Sequence, residues 1–171
     1  MGTFCLTLAY TGSRISEALA LPRERVDVSN IAIVFRTLKR RKDDIYRAVL
    51  VPPQFIAILR RVHDLDAIDR DPKERLWKWG RTTAWKHVKR VMRDADILEG
   101  LAMPKAARHA FGVEAGQRGI PLNVVQRWLG HARIETTAIY AGAIGEEERN
   151  LARRGWSSIE LAISKRALNS E

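Results

Sequence analysis

Residues 104–143 read PKAARHAFGVEAGQRGIPLNVVQRWLGHARIETTAIYAGA, and the punctuation of this stretch decides the fold. Pro104 suits the first turn of a helix, which runs to about Gln117 and is ended by Gly119. Pro121 opens the next helix, which carries Val124, Val125 and Trp128. Short helices therefore alternate with tight turns, and the stretch closes on Tyr140, nine positions after His131.

The N-terminal part continues the helical pattern. GTFCLTLAY is apolar and ends at Thr11-Gly12. Ser13 is then expected to cap a second short helix, RISEALAL, stopped by Pro22, with Arg14 in its first turn. Residues 24–28, 31–37 and 46–51 are rich in β-formers and predict a small antiparallel sheet, with 38–45 as a hairpin tip. A helix from about Gln54 to Leu65 follows, and DAIDRDPKER reads as a surface connection. From Thr83 to Ile97 the residues Trp85, Val88, Met92 and Ala95 recur at helical spacing, while Lys86, Lys89, Arg90 and Arg93 fall elsewhere around the wheel. That pattern predicts a helix with a basic face and Trp85 in the core. Glu146, Glu147 and Glu148 suit the N-terminus of a closing helix reaching towards Leu168, with Leu151, Trp156, Ile159 and Ile163 as an apolar stripe.

The chain has 171 residues, enough for one core and too few for two comfortable ones. Thirty Lys and Arg against twenty Asp and Glu leave a charge of +10, so the outer field favours polyanions. No apolar run approaches the eighteen or so residues of a membrane span, which argues against a membrane partner. The single cysteine, Cys5, excludes an internal disulfide and any Cys-based zinc site; its apolar setting predicts a buried, reduced thiol in the cytoplasm. His63 and His87 have no Cys, Asp or Glu at a convincing ligand interval, so no metal and no cofactor are expected.

Breaking a phosphodiester without a metal requires a nucleophile, cations for the charge on the pentacoordinate phosphorus, and a proton for the departing oxygen. This sequence supplies all three. Arginine suits the second task because its planar fork holds two oxygens and stays charged. Arg14 and Arg108 are the natural pair, and Glu17, three residues after Arg14, lies where a carboxylate can orient a guanidinium.

The segments TGSRISEAL, KAARH and LGH followed by TTAIY, in that order, resemble the tyrosine recombinase (phage integrase) family. The resemblance implies a mainly helical α+β catalytic domain with a small three-stranded antiparallel sheet, spanning residues 1–171. It implies that Tyr140 is the nucleophile, that Arg14 and Arg108 clamp the scissile phosphate, that His131 donates to a non-bridging oxygen, and that Glu17 supports Arg14. The family keeps a lysine on the hairpin that protonates the leaving 5′ oxygen. Lys39 is the favoured counterpart, and Lys42 sits on the same tip. The family usually reads HxxRH where this chain reads KAARH. Lys105 can still donate to a phosphate oxygen but is a poor base at neutral pH, and His109 is expected to be a structural hydrogen-bonding residue. Arg40, Arg41, Lys42 and Arg47 on the hairpin, with Lys86, Lys89 and Arg90, are expected to contact the DNA backbone.

The implied activity is site-specific recombination: cleavage and rejoining of double-stranded DNA through a 3′-phosphotyrosyl intermediate, without metal or ATP. A homotetramer on paired sites, monomeric in free solution, is the implied assembly, with the helix at 146–171 exchanged between protomers. Family members usually carry an N-terminal core-binding domain, which is not expected within residues 1–171. Two rival readings remain: a DNA-binding remnant of the same fold impaired by Lys105, and a type IB topoisomerase-like enzyme.

Overall fold

The computed structural model describes residues 1–37, 45–97, 100–118, 120–130, 149–150, 152–156, 159–160 and 163. Before residue 131 the described helices and sheet are laid out as α1 (Gly2–Thr11), α2 (Ile15–Leu19), β1 (Val26–Asp27), β2 (Ala32–Arg36), β3 (Tyr46–Leu50), α3 (Pro53–Val62), α4 (Arg81–Asp94), α5 (Pro104–Gln117) and α6 (Leu122–Leu129). The sheet is antiparallel in the order β1-β2-β3, as the β-rich runs predict.

Helix α1 is central because most of its surface can be buried. Phe4 and Leu8 are sealed in the core, and its threonines return their hydroxyls to the helix: Thr7 Oγ1 donates to Thr3 O at 2.9 Å and Thr11 Oγ1 to Thr7 O at 2.6 Å. Such back-bonding lets a polar side chain enter an apolar interior without an unmet donor. α1 packs on α5, α5 on α6, and α6 against β3, so the N-terminal helix, the sheet and the residue 104–130 helices share one core.

The first strand is shorter than its composition suggests. Residues Arg23–Arg25 form a 3-10 turn instead of strand, since their backbone is taken by the 70–76 connection: Arg23 N–H donates to Glu74 O at 3.0 Å and Glu24 N–H to Pro72 O at 2.9 Å. That connection is thus partly a docked segment, with Leu76 N–H on Leu21 O at 3.0 Å. Buried Arg23 completes the join by donating to the carbonyls of His63 and Asp64 at the end of α3.

Two further expectations are corrected. Trp85 is 41 % exposed: α4 presents Ala84 and Val88 to the core, and Trp85 lies outside that face with Lys89 above its ring. Trp77, by contrast, is buried edge-on to Phe4 and donates its indole N–H to Thr3 Oγ1 at 3.3 Å. Cys5 is half-buried instead of fully buried, with burial raising its thiol pKa. His63 packs edge-on against Trp77 and His87 against Trp79, which makes both parts of aromatic packing. No helix among the described residues is long and apolar enough to cross a membrane.

Candidate functional site

Helix α1 ends at Gly12, which adopts the left-handed conformation at φ 58° and returns its N–H to Leu8 O at 3.0 Å. A Cβ there would come within 2.6 Å of Phe111 Cδ1, so glycine is required both by conformation and by space. The turn delivers Arg14 to the N-terminus of α2. Arg14 itself occupies the N-cap position, one residue later than expected, and the side chain that caps its backbone N–H is the Glu17 carboxylate, Oε2 at 2.9 Å. Ser13 instead has its hydroxyl bonded to Thr11 Oγ1 at 3.0 Å.

Glu17 is the hub. Its Oε1 accepts from Arg14 Nη1 at 3.0 Å, and its two oxygens accept from Arg47, Oε2 from Nη2 at 2.6 Å and Oε1 from Nη1 at 3.3 Å. The carboxylate side chain is 1 % exposed, Arg47 5 % and Arg14 29 %. Burial alone would raise the Glu17 pKa, yet the hydrogen bonds and charges of Arg47 and Arg14 outweigh it and hold the carboxyl below its ordinary value. A buried carboxylate with a missing partner would cost about 3–5 kcal/mol, which is why these residues must act as a set.

Arg108 reaches the same place from the middle of α5. Its Nη1 donates to Gly12 O at 2.8 Å and its Nη2 to Leu129 O at 2.6 Å, so one guanidinium holds the ends of α1 and α6 together. Burial, and then the positive charge of Arg14, depress its pKa to about 10, with Arg47 acting in the same direction and Glu17 against it. Arg108 therefore remains a cation at neutral pH. Three guanidiniums around one carboxylate leave an excess of two positive charges, an arrangement suited to an anion approaching the exposed edge of Arg14.

Lys105 lies exposed in the first turn of α5, one turn before Arg108, and His109 is exposed beside it. Lys86 and Arg90 are exposed and Lys89 half-exposed on α4, away from its Ala84 and Val88 face. Lys39, Arg40, Arg41 and Lys42, and likewise His131 and Tyr140, lie outside the described residues. Their attachment points are described: Thr37 and Gly130 both border Arg47.

Arg47 is where the structure departs most from the sequence reading. It is not a solvated, DNA-facing hairpin residue but a buried one, 6 % exposed. The signal was present in the alternation of β3, which turns Arg47 and Val49 to the core together. A charge on that face needs a buried counter-charge, and Glu17 supplies it.

Residues 3–146 match the phage integrase family. Among curated relatives, a tyrosine recombinase of Thermosipho africanus is 30 % identical over 154 residues, covering 86 % of this chain and 51 % of that protein. Tyrosine recombinase XerD of Haemophilus influenzae is 32 % identical, covering 87 % of this chain and 52 % of that protein. The chain thus spans about half the length of these relatives. Of solved structures, the integrase from mycobacterium phage Brujita aligns with a TM-score of 0.66 at 18 % identity, over 90 % of this chain and 50 % of that one. The XerH site-specific recombinase bound to difH substrate aligns with 0.63 at 22 %, over 90 % and 41 %. At those identities the likeness speaks for the fold, which is that of a tyrosine recombinase catalytic domain. With a family match across most of its length and this fold around the Arg14, Glu17 and Arg108 cluster, the chain belongs to the phage integrase family.

Proposed function

We propose that this chain is the catalytic domain of a tyrosine-type site-specific recombinase, and that its substrate is double-stranded DNA. The observation that carries the reading is the convergence of Arg14 and Arg108 on one partly exposed spot, with Glu17 aiming the first and the α1 and α6 carbonyls fixing the second. Preorganised cations of this kind stabilise the charge that builds on phosphorus during in-line attack.

In the proposed reaction the Tyr140 hydroxyl oxygen bonds to phosphorus as the bond to the 5′ oxygen breaks. The tyrosyl proton passes to solvent water, and Lys39 on the hairpin gives a proton to the leaving 5′ oxygen. Arg14, Arg108, His131 and Lys105 hold the non-bridging oxygens. The product is a 3′-phosphotyrosyl enzyme and a 5′ hydroxyl, and a 5′ hydroxyl from a partner strand reverses the step. One phosphoester is exchanged for another, so neither ATP nor a metal enters the balance.

The basic face of α4, with Lys86, Lys89 and Arg90, is proposed to track the DNA backbone, as are Arg40, Arg41 and Lys42. The XerH site-specific recombinase, solved bound to its difH substrate, supports the choice of partner. On paired sites we propose a homotetramer. Trapping on a nicked duplex, whose short fragment with the freed 5′ hydroxyl diffuses away, tests the reading: a protein–DNA adduct with a kinase-accepting 5′ hydroxyl on the released strand is expected. Tight binding with no adduct would favour a DNA-binding remnant instead.

A further inference from the structure

The Arg47 guanidinium is directed at protein oxygens. Nη2 and Nη1 engage Glu17 at 2.6 and 3.3 Å, Nη1 also approaches Thr37 Oγ1 at 3.3 Å, and Nε donates to Trp128 O at 2.8 Å. Its carbon lies 5.2 Å from the centre of the Phe35 ring, its cross-strand neighbour. A Cβ on Gly130, which has φ 65°, would meet this guanidinium at 3.0 Å. Each of these partners stands at the root of a segment that carries chemistry. Glu17 holds Arg14, Thr37 lies two residues before Lys39, and Trp128 lies three residues before His131.

We infer that Arg47 is a positioning residue for strand cleavage, fixing Arg14 through Glu17 and registering the hairpin and the α6 terminus on that same carboxylate. The inference rests on the recombinase reading above. Arg47 does not itself touch DNA, because it is 6 % exposed and its donors are directed at protein oxygens. A guanidinium is needed because the contacts diverge in one plane, two to a carboxylate and one to a carbonyl on the other side. A lysine ammonium is a point donor and cannot keep that geometry. Thr37 and Trp128 belong to elements far apart in sequence, 10 and 81 residues from Arg47, so losing the fork releases both together.

The test uses the full chain on a nicked duplex carrying either a normal scissile phosphate or a methylphosphonate, whose missing negative charge lessens the need for an aimed Arg14. Arg47→Lys is expected to keep its duplex affinity and its cooperative melt. Its adduct formation on phosphate should fall about 100-fold, the scale of an ångström-size misplacement. On methylphosphonate its rate should approach that of the unaltered chain. If Arg47→Lys does not fold, Arg47→Gln carries the same test, since its amide keeps one donor towards Glu17 and leaves the Glu17 to Arg14 pair in place. Equal rates on phosphate, or a deficit of equal size on both substrates, overturns the inference. An unaltered chain that forms no adduct at all overturns the recombinase reading and this inference with it.

Discussion

Arg108 donates through Nη1 to the carbonyl oxygen of Gly12 at 2.8 Å, joining residues 96 positions apart in the chain. The contact exists because Gly12 turns the end of α1 with a left-handed backbone that exposes its carbonyl, and because α5 crosses α1 at that level. The cluster is thus assembled on the ends of helices, where orphan carbonyls accept from a cation.

Gly12→Ala tests this joint. The new methyl would sit 2.6 Å from Phe111 Cδ1 and 2.8 Å from Leu129 Cδ2, at φ 58°. Left-handed strain and overpacking together predict a loss of about 2–4 kcal/mol, read from urea unfolding midpoints. An unchanged midpoint would mean that α1, α5 and α6 do not meet as described.

Glu17 gives the chain a specific acid sensitivity. Its folded-state pKa lies below the ordinary 4.5, so its contribution to stability is complete above 4.5 and disappears as pH falls through the lower, folded-state value. Glu17→Gln should cost about 3 kcal/mol at pH 7, and the difference from the unaltered chain should shrink towards pH 3. Thermal melts across that range check it; a difference independent of pH would contradict an ionised buried carboxylate.

The proton donor can be identified chemically. Lys39→Ala should slow cleavage of normal DNA and be rescued by a 5′-phosphorothiolate, a leaving group that needs little protonation. Arg14→Ala and Arg108→Ala should not be rescued. Rescue of Lys42→Ala in place of Lys39→Ala would move the role to Lys42.

The end of the chain has two tasks in this account. Ala152 and Trp156 are 1 % and 8 % exposed within the chain's own core, and Gly155 lies close against Ile120, while Ile163 is 43 % exposed. Trp156→Ala should therefore cost about 3 kcal/mol in free solution, and deleting residues 150–171 should lower the melting temperature as well as remove higher-order complexes. We propose that this segment docks on its own core in the monomer and is exchanged on paired sites. Light scattering with and without DNA separates the two, and a tetramer without DNA would contradict it.

What could be read from sequence depended on how local its cause was. Gly12 ends α1 and Pro104 opens α5 through conformational limits carried by single residues, and both boundaries fall where those residues place them. Arg14, Glu17 and Arg108 stand together because their local motifs are short and ordered. Arg47 reads as solvated because a charged hairpin dominates its neighbourhood, and only pairing with a carboxylate 30 residues away reveals why a charge shares a face with Val49. Trp85 reads as core because helical spacing admits more than one apolar face, and packing of Ala84 and Val88 against the core selects the other. Such choices depend on tertiary contacts that periodicity does not encode.

The most direct measurement is adduct formation by Tyr140→Phe on a nicked duplex, resolved on a denaturing gel beside the unaltered chain. The substitution removes one hydroxyl and leaves the Arg14, Glu17 and Arg108 cluster in place. The account predicts a covalent band for the unaltered chain and none for Tyr140→Phe, with melting temperature and non-covalent duplex affinity nearly the same. A covalent band retained by Tyr140→Phe would contradict it.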